Sequence, residues 1–187
     1  MTGDFDDDGD EDLVYCTSLG FSGRPAGIRF MRNDGGVLRD RTGTLGIKPI
    51  GDLDVTFADV TGDGRRDLIQ LSHALLRVSR RTDSGYRIVV EARLDRAVGV
   101  AAGDVDGDGA ADIYVARGDM SGNQRDLLML SRQGGRKLVP IRIPQTDRGT
   151  ADDVFALDYD DNGRADFVVL NGRRRPGPIQ LLAAFPG

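Results

Sequence analysis

The 187-residue sequence has one cysteine, one histidine and no tryptophan. Cys16 has no second cysteine to pair with, which excludes an intramolecular disulfide. We expect it to be a small buried residue and not a nucleophile. His73 is the single imidazole, so catalytic triads and zinc sites built on histidine are excluded unless they use this residue.

Glutamate is almost absent. Only two of the 30 acidic residues, Glu11 and Glu91, are Glu, and the others are Asp. Glu favours helices, whereas Asp favours turns and the binding of hard cations. Because the chain also contains 26 glycines, the composition predicts acidic loops between many short strands, with almost no helix.

Long apolar runs are absent as well. No stretch approaches 18 apolar residues, so no membrane-spanning helix is predicted. No basic and apolar leader follows Met1, which leaves either a cytoplasmic protein or a trimmed piece of a longer precursor. The sequence has neither a glycine-rich phosphate loop nor a basic patch interleaved with aromatics, so nucleotides and nucleic acids are not predicted ligands.

An acidic motif occurs four times at intervals of roughly 50 residues, the range of β-propeller blades. Each copy reads D-x-[DT]-x-[DN]-G-x-x-D and is followed by an apolar residue. The copies are "DFDDDGDEDL" (4–13), "DVTGDGRRDL" (59–68), "DVDGDGAADI" (104–113) and "DYDDNGRADF" (158–167).

Short alternating runs bounded by turn residues flank each motif, a pattern typical of antiparallel strands. The sequence thus predicts an all-β, β-propeller-like array of four-stranded antiparallel blades, in which the acidic loop joins the first two strands. The predicted units are residues 1–52, 53–96, 97–149 and 150–187. We expect the first unit to lack its leading strand and the last its fourth strand, giving about three and a half blades. The array is then part of a larger ring, a ring completed by another chain, or open.

The spacing of the motif predicts a calcium loop. Oxygens at positions 1, 3 and 5, a glycine at position 6 and a carbonyl at position 7 converge on one point, and the carboxylate at position 9 closes the shell. The predicted ligands are Asp4, Asp6, Asp8 and Asp12; Asp59, Thr61, Asp63 and Asp67; Asp104, Asp106, Asp108 and Asp112; and Asp158, Asp160, Asn162 and Asp166.

An EF-hand is excluded because position 12 carries no acid: it is Tyr15, Gln70, Val115 or Val169. The alternative that the motifs are plain Asp-Gly turns is disfavoured by four copies with the same ligand spacing. We expect the second and fourth sites, with Thr61 and Asn162, to bind more weakly. Four calcium ions would more than offset the formal net charge of −5.

The four loops and their flanking strands resemble the FG-GAP/VCBS repeat family, whose blades also build the calcium-bearing β-propeller of integrin α subunits. The resemblance covers essentially the whole chain. It implies a secreted or cell-surface protein with Ca²⁺ bound in successive blades.

Other features carry weaker functional hypotheses. Arg117-Gly118-Asp119 is an adhesive tripeptide that is also expected by chance in this composition, and Ser18 and Ser22 have no base at a recognisable spacing. The basic turn at 173–175 is either a solvated loop or an anion or glycan site.

These observations predict a non-enzymatic domain for protein or glycan recognition or adhesion. The alternative is a non-catalytic module that targets a secreted hydrolase to polysaccharide. The remaining blades would come from a longer chain or another subunit.

Overall fold

The computed structural model describes residues 1–6, 8–17, 27–51, 53–118, 125–141, 143, 151–172, 177 and 179–183. These residues form fifteen strands in four antiparallel sheets arranged as four propeller blades, and the described part of the chain contains no helix. A helix able to cross a membrane is accordingly not found among them. The predicted all-β, blade-like fold is confirmed.

The strands follow one another within each sheet in chain order. Blade 1 contains β1 (Thr2–Gly3), β2 (Asp12–Thr17), β3 (Gly27–Asn33) and β4 (Leu38–Asp40). Blade 2 contains β5 (Asp54–Ala58), β6 (Asp67–Leu71), β7 (Leu75–Thr82) and β8 (Gly85–Arg93). Blade 3 contains β9 (Ala97–Gly103), β10 (Asp112–Arg117), β11 (Leu127–Arg132) and β12 (Lys137–Ile141). Blade 4 contains β13 (Ala151–Leu157), β14 (Asp166–Asn171) and β15 (Gln180–Leu182).

The first blade differs from the prediction in one respect. Its leading strand is present, because Thr2 pairs with Leu13 and Gly3 with Asp12. A two-residue strand has no alternation for a sequence pattern to reveal. In blade 4 the described residues form three strands. The predicted loss of its fourth strand concerns residues 184–187, which lie outside the described residues.

Alternation along the strands gives each blade two apolar faces. We call the face that carries motif positions 10 and 12 the front face, and the face that carries positions 2 and 11 the back face. The front face packs against the preceding blade and the back face against the following one, which produces one apolar cluster at each of three junctions.

The junction between blades 1 and 2 shows this arrangement. Phe5, Val14 and Phe30 on the back face of blade 1 pack against Leu68 of blade 2. The Phe5 ring stacks on Phe57, with ring centroids 4.1 Å apart. Burying side chains of this size is the main source of stability in a fold without long helices.

Main-chain hydrogen bonds also join neighbouring loops. The N–H of Ala111 donates to the carbonyl of Asp59 at 2.7 Å, and the N–H of Ala165 donates to the carbonyl of Asp104 at 2.7 Å. In motif terms, position 8 of one loop donates to position 1 of the preceding loop. The second, third and fourth acidic loops therefore lie along one edge of the array.

Candidate metal centres

The carboxylate at position 1 organises each acidic loop. In the first loop Asp4 accepts hydrogen bonds from the N–H groups of Asp8 at 3.2 Å and Gly9 at 3.0 Å. Asp59, Asp104 and Asp158 likewise accept two amides from their own loops. Asp favours such local turns because its short side chain reaches the backbone a few residues ahead.

The glycine at position 6 is required by backbone conformation and not by space. Gly9, Gly64, Gly109 and Gly163 have φ values of 93°, 83°, 86° and 80°, a region that L side chains rarely adopt. A Cβ added at any of the four would meet nothing within 4 Å. The sharp reversal directs the oxygens of positions 1, 3 and 5 toward one another.

Position 5 caps the turn that follows. The side-chain oxygen of Asp8, Asp63, Asp108 or Asn162 accepts the N–H of the residue two positions ahead, at 2.8–3.0 Å. Asn162 makes this bond as well as an Asp does, so the fourth loop keeps its shape with one carboxylate fewer.

The carboxylate at position 9 clamps the loop to the sheet. Asp112 is fully buried, and its two oxygens accept the N–H groups of Val105 at 3.1 Å and Ser131 at 2.8 Å. Asp12 and Asp67 bond in the same two-sided way, and Asp166 accepts the N–H of Tyr159 at 2.8 Å. Position 9 thus connects the loop to the third strand in blades 1, 2 and 3.

Three of the four loops bring three predicted carboxylate ligands together. Ligand oxygens within 4.8 Å of one another come from Asp4, Asp6 and Asp8; from Asp104, Asp106 and Asp108; and from Asp158, Asp160 and Asp166. Position 9 belongs to the cluster only in the fourth loop. The second loop has Thr61 at position 3, and its Oγ1 lies 3.5 Å from Asp59 Oδ1.

Two buried oxygens show that these residues fit a cation. Asp6 Oδ1 and Asp106 Oδ1, both at position 3, are shielded from solvent and accept no hydrogen bond. A buried carboxylate oxygen without a partner is costly, and a hard cation bound by oxygen ligands would satisfy it. The clusters therefore match the donor chemistry of a Ca²⁺ site.

Burial and mutual repulsion also perturb the loop carboxylates. Burial raises the pKa of Asp112 to about 6, and the charges of Asp106 and Asp108 act in the same direction. Burial, and then the charge of Asp12, raises the pKa of Asp6. The ionised forms of Asp112 and Asp6 are therefore disfavoured, whereas the backbone hydrogen bond from Asp10 lowers the pKa of Asp8.

Arginines that the sequence analysis missed lie against these loops. Arg32 is 2.8 Å from Asp8 and 3.2 Å from Asp6, Arg80 is 2.8 Å from Asp63, and Arg132 pairs with Asp106 and Asp108. All three come from the ends of third strands. A sequence signal exists in blades 1, 2 and 3, because an arginine lies within the last three residues of each of their third strands. The third strand of blade 4 has none.

The other candidate residues occupy structural positions or lie outside the described chain. His73 Nδ1 is 3.0 Å from the Ala97 carbonyl. Arg117 pairs with Asp95, and Cys16 is half-buried against the cluster between blades 1 and 2. Asp119, Ser18, Ser22 and residues 173–175 are outside the described residues.

Comparisons with known proteins agree with this geometry. The sequence model of the FG-GAP-like repeat family matches residues 4–69 and 104–169, and each match covers two successive acidic loops. A search of curated proteins finds no match.

A similar solved structure is an Agrocybe aegerita lectin described as recognising non-reducing terminal N-acetylglucosamine, with a TM-score of 0.54 and 21% identity. The alignment covers 96% of this chain and 50% of the lectin chain, so this chain spans about half the length of its neighbour. At this identity the likeness shows the fold alone.

Proposed function

The chain belongs to the FG-GAP-like repeat family, and we propose that it is a calcium-stabilised recognition domain that works outside the cell. The observation that carries this proposal is the set of three carboxylate clusters, two of which contain a buried oxygen without a hydrogen bond. Extracellular calcium is abundant enough to fill sites of moderate affinity.

Calcium would be held by the oxygens of positions 1, 3 and 5 and the carbonyl of position 7. The position 9 carboxylate would fix the loop to the sheet and, in the fourth loop, would also lie in the cluster. When bound, the ion supplies positive charge that offsets the repulsion among these carboxylates. A ligand that binds the folded state adds about 2.7 kcal/mol per site when it is present at 100 times its dissociation constant. Stabilisation of the fold is the role that this arrangement supports.

Recognition is favoured over catalysis by the similarity of the loops. Catalytic metal sites keep one special open position, whereas these loops repeat one hydrogen-bonding pattern in four blades. The similar lectin is described as binding a terminal sugar, and on this likeness of fold we propose a glycan as the first ligand class to test.

Calcium titration calorimetry on chelator-stripped protein tests the metal sites. We expect up to four equivalents, one for each loop, and a higher melting temperature in calcium than in chelator. Asp106→Ala should remove one equivalent, because it deletes the orphaned oxygen of the third loop. Asp83→Ala is the matched control, since Asp83 lies outside the motifs and is fully exposed. If no calcium binds and the melting temperature is the same in calcium and in chelator, the loops are plain turns and the proposal is wrong.

A glycan array probed with the calcium-loaded domain tests recognition. Glycans with terminal N-acetylglucosamine are the first probes, and insoluble polysaccharides in a pull-down test the alternative of a targeting module. Binding that disappears in chelator and survives Asp83→Ala supports the proposal. Failure to bind any glycan, with calcium binding intact, would overturn the glycan ligand and direct the search to protein partners.

A further inference from the structure

We propose that the back face of blade 4 is a docking surface for the front face of blade 1 of a second copy of this chain. Each of the three internal junctions joins a back face to a front face. The proposed contact is a fourth junction of the same kind, formed between two molecules. It goes beyond the recognition function.

The back face of blade 4 has the composition of the buried ones but is open to solvent. At position 2, Phe5, Val60 and Val105 are at most 4% exposed, whereas Tyr159 of blade 4 is 67% exposed. On the third strand, the residue paired with position 11 is Phe30, Val78 or Leu128, at most 5% exposed; in blade 4 it is Leu181, 42% exposed.

Phe155 extends the same row. Phe155 pairs with Val168, and Val168 pairs with Leu181, so the three side chains lie side by side across blade 4. The corresponding row in blade 3 is Ala101, Tyr114 and Leu128, all buried against blade 4. An exposed apolar row rimmed by polar loops is the usual mark of an interaction site.

Blade 1 carries the matching surface. Positions 10 and 12 form the front face, and in blades 2, 3 and 4 they are buried in the preceding junction. In blade 1 they are Leu13, which is partly buried, and Tyr15, which is 40% exposed. Among the described residues, the chain therefore presents one open face of each kind, and the two kinds are complementary wherever they meet inside the molecule.

One position shows where the intermolecular junction differs. The residue before the motif is Gly3, Ala58 or Gly103 in the first three blades, and a Cβ at Gly103 would lie 2.3 Å from Ala165 Cβ of the next blade. In blade 4 it is Leu157. The loops of two copies therefore stand farther apart than within the chain, and the contact is made by the sheet rows.

Two identical head-to-tail contacts close a ring of two copies, and unclosed contacts give filaments. We infer the closed dimer, because this chain aligns over 96% of its length with half of a propeller chain about twice as long. A dimer also buries both free faces, which leaves the oligomer finite.

Light scattering after gel filtration tests the inference on the calcium-loaded chain. We expect a mass near twice 20.2 kDa. Phe155→Asp combined with Leu181→Asp should give a monomer with an unchanged circular dichroism spectrum. Ile88→Asp is the matched control, because Ile88 is 39% exposed on the outer strand of blade 2, and it should stay dimeric. A wild-type monomer, or a double variant that remains dimeric, would overturn the proposal.

Cysteine cross-linking establishes which faces meet. In a Cys16→Ser background, Tyr15→Cys protein is mixed with Leu181→Cys protein. The internal equivalents of these residues, Val169 and Leu128, belong to one cluster, so the mixed disulfide should form faster than either homodimer. Preferential Leu181–Leu181 linkage would show that the contact is symmetric, and would overturn the head-to-tail arrangement.

Discussion

At the scale of single residues, the acidic loops divide their work among motif positions. Position 1 gathers the loop amides, position 5 caps the turn, position 6 supplies the reversal, and position 9 fastens the loop to the sheet. The carboxylate cluster in the third loop uses positions 1, 3 and 5, and position 3 has the least hydrogen bonding. The residue type alone therefore does not reveal the role of a position, because the four aspartates of one loop make different contacts.

The glycine at position 6 gives a prediction at this scale. Gly109→Ala should lower the free energy of unfolding by about 1–2 kcal/mol, because the left-handed conformation is strained for an L side chain. Gly43→Ala is the control, since its Cβ would also meet nothing within 4 Å and its φ is not positive. Urea unfolding measures both. Equal effects would show that chain entropy, and not strain, dominates at Gly109.

At the scale of loop and strand, two roles of the third loop can be tested separately. The position 9 carboxylate clamps the loop to the sheet, and the carboxylates at positions 1, 3 and 5 form the cluster. Asp112→Ala leaves two buried N–H groups without an acceptor, so it should cost about 3 kcal/mol of stability even in chelator. Asp108→Ala should cost less than about 1 kcal/mol in chelator, because Asp108 is 40% exposed on its side chain. In calcium, Asp108→Ala should lower the melting temperature and remove one equivalent of bound metal.

Thermal melts of the two variants, in chelator and in calcium, make this comparison. If Asp108→Ala destabilises the metal-free domain as much as Asp112→Ala does, positions 5 and 9 do not have distinct roles. An unchanged calcium stoichiometry in Asp108→Ala would contradict its assignment as a ligand.

The strands were predictable from the sequence because each repeat has its own turn residues and alternation. The motifs also located the clusters, since oxygens spaced two apart in a short loop converge whatever the rest of the chain does. The two-residue β1 strand was not predictable, because it is defined by its partner. The arginines on the loops were missed for a related reason: Arg132 meets Asp106 only after β11 has paired with β10.

At the scale of the whole molecule, the four blades have unequal surroundings. In the part of the chain that the structure describes, blades 2 and 3 are packed on both faces, whereas blades 1 and 4 each pack against one neighbouring blade. A sequence of similar repeats gives no sign of this inequality, since exposure depends on what lies beside each blade.

Hydrogen exchange should reveal the inequality. In the monomeric Phe155→Asp and Leu181→Asp variant, amides of the second strands of blades 2 and 3 should exchange more slowly than those of β4 and β15, because local opening is easiest where packing is least. Mass spectrometry of peptides from each blade measures this. In the wild-type dimer, protection of β15 should rise. Uniform exchange across the four blades would contradict the expectation.

The hydrogen bonds between neighbouring loops have a consequence for how such a chain changes its length. They join main-chain groups of two loops, so they do not depend on which side chains are present at the two positions. The N–H groups of Ala111 and Ala165 donate in the same way to carbonyls of two different loops. Duplication of one such unit would therefore also supply the main-chain hydrogen bond that connects the new loop to its neighbour. The residue type at individual loop positions differs between units, as Thr61 at position 3 and Asn162 at position 5 show, while the spacing within the motif is the same in all four loops.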